Sequence, residues 1–369
     1  MTDSNKNTYA NSGVDYSVMD PIKVLAQKQA AQTAHNLGAF NASEVVASRG
    51  ESAYVWEEND SYRSLVIEGL GTKNLVADAM RKFGDKTYYD AIAQDTIAMI
   101  VNDLIVVGAL PQVINAYFAI GDSNWMKDEK RASDLINGWA KACELSGATW
   151  GGGETPTLKG IVDPETIDLG GSAVGVIKDK ENLVLGDKLE SGDRIVLISS
   201  SGIHANGLTL ARKVGDELAD GYGTKLTDGR AYGEALLTPT PIYVPIVREM
   251  QKASVDVHYM VNVTGHGWRK LMRATKPFRY VIDAVPPVPV EFSFIQDQAK
   301  ISNEEMYGNF NMGAGFAVYV AEADAEKVVE IAKANGFEAM VAGRVENGPK
   351  QVIIEPLDIT FQGDTLEVR

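Results

Sequence analysis

Residues 66–73 read VIEGLGTK: a β-branched pair, a carboxylate at Glu68, glycines at 69 and 71, then Thr72 and Lys73. The fold turns on whether this is a tight turn after a strand or a cradle for phosphate. Gly69 and Gly71 would let backbone N–H groups approach an anion closely, while Thr72 adds a hydroxyl and Lys73 a point charge. The stretch lacks the Gly-Lys-Ser/Thr ending of a P-loop and the third glycine of a dinucleotide fold. Its spacing also recurs as GYGTK at 221–225, inside the charged stretch GDELADGYGTKLTDGR with no strand ahead of it. We expect that copy to be a surface loop. The octapeptide alone leaves both readings open.

Outward from it, apolar periodicity outlines alternating elements. Residues 62–67 read as a strand entering the glycine loop, and residues 16–36 as a helix. DAIAQDTIAMIVNDLIVVG (90–108) has apolar residues at 92, 97, 100, 101, 104 and 105, the pattern of a largely buried helix. PQVINAYFAIG alternates as a strand. Residues 128–146 form an amphipathic helix that Gly147 ends. ATWGGGET and GGSAVGVIK read as further strands. The polar, turn-rich LGDKLESGD at 185–193 marks a boundary, giving domains of 1–185 and 190–369. Beyond it come a strand RIVLIS, a turn SSSGIHANG opening a helix at Leu208, and a strand–helix–strand unit from GFAVYV to VAGRV. Strands and helices mix in both halves, so the expected class is α+β with two domains.

Composition narrows the function. A chain of 369 residues, 45% hydrophobic, can build two cores, and its net charge of −15 opposes polyanions such as nucleic acid and anionic membrane surfaces. The single cysteine, Cys143, excludes an internal disulfide or a Cys-cluster metal site, and its helical context predicts burial. MTDSNKNTYANSG has no signal-peptide core, and the longest apolar region is interrupted by Asn102–Asp103 and Pro111. The expectation is a soluble cytoplasmic protein acting on small molecules.

Four stretches set donors or carboxylates beside glycine turns. Besides the quoted loop, Asn102–Asp103 lies inside the apolar helix, and Asp95, seven residues earlier, shares a face with Asn102. A carboxylate there must be paired or bind metal. GGGET places Glu154 after Gly152 and Gly153, and SSSGIHANG sets His204 and Asn206 at a helix start suited to phosphate. The hard-oxygen set Glu68, Asp103 and Glu154 suits Mg2+, completed by phosphate and water. HExxH, GxSxG and cysteine pairs are absent from the sequence, which gives metalloprotease, α/β-hydrolase and thiol chemistry little support.

In order along the chain, GLGTK, DTIAMIVNDLIVVGA, GGGET, SSSGIHANG, LLTPTPIYV, VTGHGW and NFNMGAG resemble the AIR synthetase family of ATP-using enzymes. YANSGVDYS resembles the opening of its cyclo-ligase branch. The resemblance implies two α+β domains and a homodimer whose N-terminal-domain strands join across the interface. It implies ATP and Mg2+ as cofactors and formylglycinamidine ribonucleotide as substrate, cyclised to aminoimidazole ribonucleotide. Carried over by position, Gly69, Gly71, Thr72, Lys73, Asn102, Gly152 and Gly153 would contact ATP. Glu68, Asp103 and Glu154 would hold the metal. His204, Asn206, Thr264 and Asn311 would lie on the substrate, with Lys73, Asp103 and His204 catalytic and His204 moving a proton.

The chain departs from the family pattern on the substrate side. PTLKG follows GGGET where the family has Ala-Glu-Met-Pro-Gly, Pro241 replaces an arginine, and the three-glycine turn reads Gly265-His266-Gly267. Glu68 stands where the family has aspartate. Another phosphotransferase of the superfamily and a non-catalytic nucleotide-binding paralogue remain the alternatives.

Overall fold

The structure, a computed structural model, describes residues 16–366, with side chains from residue 21; most of the YANSGVDYS stretch therefore lies outside the described residues. Helix α1 (Tyr16–Ala31) precedes a first sheet of β1 (Ala42–Glu44), β2 (Tyr54–Glu58), β3 (Ser61–Gly69), β4 (Leu110–Ile120), β5 (Thr149–Glu154) and β6 (Ile167–Ile177). Its order is β1-β2-β3-β6-β4-β5. Every pairing is antiparallel except β4 with β5. Parallel neighbours need a crossover, and α4 (Glu129–Ser146) supplies it. The carboxylate of Asp128 caps that helix by accepting from Arg131 N, and Gly147 ends it in the left-handed region at φ 66°.

Helix α3 (Tyr89–Ile105) follows α2 (Lys73–Met80) and is buried along almost its whole length. It lies between α4 and the sheet. Two glycines let it sit so close. A Cβ on Gly138 of α4 would come within 2.6 Å of the Asp90 backbone, and one on Gly171 of β6 would meet Ile100 Cδ1 at 2.9 Å. The opposite face of the sheet is open, with Leu65, Ile67, Val113 and Tyr117 exposed.

The second sheet is ordered β13-β12-β9-β11-β7-β10-β8. It comprises β7 (Arg194–Ser199), β8 (Val257–Asn262), β9 (Phe278–Ile282), β10 (Ala314–Val320), β11 (Ala339–Asn347), β12 (Gln351–Ile354) and β13 (Ile359–Gln362). β10, AGFAVYV, is buried at every position, as a central strand covered on both faces must be. Around this sheet run α5 (Leu208–Glu217), α6 (Tyr232–Leu236), α7 (Val244–Lys252), α8 (Val290–Ala299), α9 (Asn303–Asn309) and α10 (Glu322–Ala334). Thus residues to 177 build one sheet and residues from 194 the other. Among the described residues no helix is long and apolar enough to cross a membrane.

The GYGTK segment is a loop, as expected, but not a wholly exposed one. Tyr222 is buried and stacks on Tyr232 with ring centroids 6.3 Å apart. Cys143 is buried, and burial pushes its thiol up to about 11.

Candidate active site

Between the two sheets lies a cleft of about 440 Å3 lined by Glu68, Asp103, Met99, Asn206, Thr264, Gly265, His266, Lys270 and Arg273, together with Lys23, Glu51, Ser52 and Leu366. Glu68 enters from the end of β3 and Asp103 from the last turn of α3. The opposing wall is the turn after β8 and the 3-10 segment Gly267–Met272. Both halves of the chain are needed to build it.

The two carboxylates face a shared, poorly solvated space. Burial first, and the nearby Asp103 charge second, push the Glu68 carboxyl up to about 7. Asp103 Oδ1 accepts from Asn262 Nδ2 at 2.6 Å, which fixes its rotamer. Two carboxylates facing one poorly solvated space are a donor set that suits a hard divalent cation. Lys270 stands across from them. Its ammonium donates to Thr264 Oγ1 and, at 3.4 Å, to the Asn262 carbonyl. Burial lowers it to about 8, against the pull of Asp103 in the other direction.

Of the expected site residues, the cleft collects Glu68, Asp103, Asn206 and Thr264. Gly69 is exposed at the end of β3, and Gly71, also exposed, takes φ +75° to turn the chain into α2. Thr72 sits at the N-cap position of α2. These glycines and Thr72 offer N–H and hydroxyl donors to an anion, beside a more open groove of about 480 Å3 over Glu68, Gly69 and the first half of β6.

Several expectations are corrected. Lys73 does not face the cleft: it is fully buried, ion-paired to Asp95 at 2.8 Å, and donates to the Thr238 carbonyl at 2.9 Å. Its ammonium is spent on these two partners, away from the cleft. Asn102 spends its whole amide on the 241–243 segment, donating to Pro241 O at 2.8 Å and accepting from Tyr243 N at 3.0 Å. Asp95 does share its face, but both residues hold the second half of the chain instead of a ligand. His204 is 2% exposed, and burial together with the Lys73 charge drives its imidazole down to about 3. It stays neutral behind the cleft, its Nε2 facing Ser201 N at 3.4 Å. Asn311 is likewise internal, donating to Gly202 O and accepting from Gly313 N.

Glu154 is not brought to the acid pair. Glu68 registers with Gly171, Gly171 with Ala116, and Ala116 with Gly153. Glu154 therefore lies three strands away, roughly 14 Å at the usual interstrand spacing, exposed with Gly152 and Gly153 on edge strand β5. Among the described residues no group of three or more His, Cys, Asp or Glu is set to hold a metal.

Sequence reasoning missed Lys270 and Arg273. The available signal was WRKLMR directly after the VTGHG turn: in a 3-10 segment side chains three apart align, so two cations three residues apart share a side. Arg273 braces the turn before β2, donating to Ser52 Oγ at 2.8 Å and Gly50 O at 2.9 Å.

Residues 50–177 match the family described as AIR synthase related protein, N-terminal domain, and residues 190–355 match its C-terminal domain. The chain is 37% identical over 341 residues to the phosphoribosylformylglycinamidine cyclo-ligase of Methanococcus maripaludis strain S2, covering 92% of each. It is 37% identical over 346 residues to the cyclo-ligase of Methanocaldococcus jannaschii, again covering 92% of each. Among solved structures it is similar in fold to AaThiL complexed with AMPPCP and TMP, with a TM-score of 0.56, 16% identity, and 85% and 90% of the two chains covered.

Proposed function

We propose that this chain, which belongs to the AIR synthase-related family, is a phosphoribosylformylglycinamidine cyclo-ligase working as a cytoplasmic homodimer with ATP and Mg2+. One observation carries the activity: cyclo-ligases align with it at 37% identity over 92% of both chains, so both of its domains take part in the likeness. Solved neighbours of the fold that hold an ATP analogue or ATP support nucleotide use.

The chemistry fits the cleft. The substrate's amide oxygen attacks the γ-phosphorus of ATP, and the bond from that phosphorus to its bridging oxygen breaks, its electron pair leaving on ADP. The amine of the same molecule then adds to the activated carbon. Inorganic phosphate leaves with the carbon–oxygen pair, one proton is lost, and the five-membered ring closes. Phosphoryl transfer asks chiefly for positioning and neutralisation of charge. Glu68 and Asp103 would hold the metal, which when bound would neutralise part of the triphosphate charge. Asn206 and Thr264 line the same space, suited to orient the substrate, and Gly69, Gly71 and Thr72 offer N–H and hydroxyl donors to phosphate. The Cys-free glycine loop disfavours selenophosphate-type chemistry. The open face carrying Leu65, Ile67, Val113 and Tyr117 supports a second copy packing on the first sheet.

The test is direct. Purified protein with MgATP and formylglycinamidine ribonucleotide should form aminoimidazole ribonucleotide, read by diazo coupling, with one ADP per product. ATP turnover with thiamine monophosphate, and none with this substrate, would overturn the assignment.

A further inference from the structure

Lys73, the cation that the glycine loop offers to a phosphate, is sealed in the core with Asp95. Transfer of a phosphoryl group is helped by a cation beside the moving charge, and a side chain other than Lys73 has to be sought for that place. Three basic side chains border the cleft: Lys23, Lys270 and Arg273. The Arg273 guanidinium is committed to the residue 50–52 turn through Ser52 Oγ and Gly50 O, with Glu51 at 3.9 Å. Lys23 lines the cleft from α1. Lys270 comes, like Arg273, from the opposite half of the chain to the acids, but its ammonium is tied to the cleft wall itself, to Thr264 Oγ1 and the Asn262 carbonyl, and its field reaches both Glu68 and Asp103.

Its position is also held rigidly. His266 and Gly267 take φ +71° and +52°, and a Cβ on Gly267 would strike Tyr307 O at 2.3 Å, so the turn is pressed onto α9. Trp268 is fully buried, its Nε1 donating to Asn311 O at 2.7 Å. Lys270 is the next half-buried side chain but one along this anchored segment, tied to Thr264 and Asn262. Two of the three ammonium donors are thereby used, which leaves one for a ligand. Asn262 itself bonds to Asp103, so one residue sets the positions of acid and cation together.

We propose that Lys270 is the catalytic cation of this site, donating to the γ-phosphoryl group of ATP, while Glu68 and Asp103 would hold the metal. The inference rests on the ATP-dependent reading above and gives Lys270 the part that the sequence had suggested for Lys73. As the γ-phosphoryl moves from ADP to the amide oxygen, Lys270 stays with the transferring group and with the phosphate that finally leaves. No proton needs to pass through it.

The experiment is nucleotide binding by calorimetry, in MgCl2, on full-length wild-type protein and on Lys270→Met and Lys270→Arg. Losing one charge-assisted hydrogen bond should weaken MgATP binding by about 10- to 100-fold in Lys270→Met, and MgADP, which has no γ-phosphoryl, by less than about threefold. Lys270→Arg should restore part of the ATP preference. Equal weakening of ATP and ADP, or no change in either with an unshifted melting curve, would overturn the proposal. So would a variant whose only defect is a raised KM for formylglycinamidine ribonucleotide, since Lys270 would then hold the substrate's own phosphate. These outcomes are separable from the cyclo-ligase reading. Wild-type protein that binds ATP through Lys270 but yields no aminoimidazole ribonucleotide refutes the substrate alone. Product formed at wild-type ATP affinity by Lys270→Met refutes Lys270 alone.

Discussion

Replacing Lys73 with Met should cost stability before it costs catalysis. The ammonium makes its closest approaches to Asp95, at 2.8 Å, and Thr238 O, at 2.9 Å, and both ionised side chains are wholly buried. Burial pulls the lysine down and the aspartate up, each partly offset by the other. Deleting one member of such a pair strands the other, at about 3–5 kcal/mol. Asp95 keeps its bonds from Thr240 N and Oγ1 and can take up a proton, which brings the expected loss toward the lower end, roughly 3 kcal/mol. At about 2–4 °C per kcal/mol for domains of this size, the melting temperature should fall by on the order of 10 °C. Asp95→Asn should show a similar loss, and the double variant less than the sum, with a coupling of about 1–3 kcal/mol in a denaturant cycle. Scanning calorimetry and urea titration read all four proteins. A Lys73→Met protein that melts with wild type yet loses turnover by orders of magnitude would refute this reasoning and return Lys73 to the nucleotide.

Other consequences can be measured alongside. Glu68 has its folded value raised from 4.5 to about 7, so its favourable contribution is complete below about pH 4.5 and is lost as pH rises through 7. In metal-free protein, Glu68→Gln should therefore gain about 2 kcal/mol relative to wild type between pH 5 and 8, after allowance for partial exposure, while losing activity; a pH-independent difference in melting temperature would count against a strained acid pair. Asn102→Ala leaves Pro241 O and Tyr243 N without their partner and should cost about 2–3 kcal/mol, seen as a lowered denaturant midpoint, with an unchanged midpoint as the contrary result. Ile67, 78% exposed on the open sheet face, is the position to test the homodimer. Ile67→Lys should yield single chains by light scattering where wild type gives two-chain particles, and an unchanged mass would move the interface elsewhere.

Much of the fold was legible because its long elements carry clean periodicity. The apolar helix at 90–108, the capped helix at 128–146 and the terminal strand–helix–strand unit stand within a few residues of where pattern and caps put them. Short strands such as β1 and β12 have too few residues to show a period. The site was legible by half. Glu68, Asp103, Asn206 and Thr264 converge, the first at a strand end, the second as an acid on an apolar helix that must find a partner, and the last two in turns that open at the cleft. Lys73 misled because its partners lie 22 and 165 residues away, and local sequence gives no sign that a lysine after Gly-Thr turns inward. His204 misled for a related reason: its turn looks solvent-facing until β10 and Tyr243 close over it.

Helix α3 explains why fold and site cannot be varied independently. At 100° per residue, Asp95 and Asn102, seven apart, fall within about 20° of one another, while Asp103 is turned by about 100° from Asn102. One face thus holds the Thr240–Tyr243 segment through Asp95 and Asn102, and Gln94, on the flank turned away from Asp103, donates to Thr240 O at 2.9 Å. The next face delivers Asp103 to the cleft. Any shift of the second half along this clamp carries β8 with it, and so Asn262, whose amide sets the Asp103 rotamer at 2.6 Å. The spacing between the acid pair and Lys270 is therefore fixed by the same bonds that dock the two halves. A loosened clamp, as in Asn102→Ala, should lower turnover more than its modest loss of stability implies, even though the substituted side chain touches no ligand.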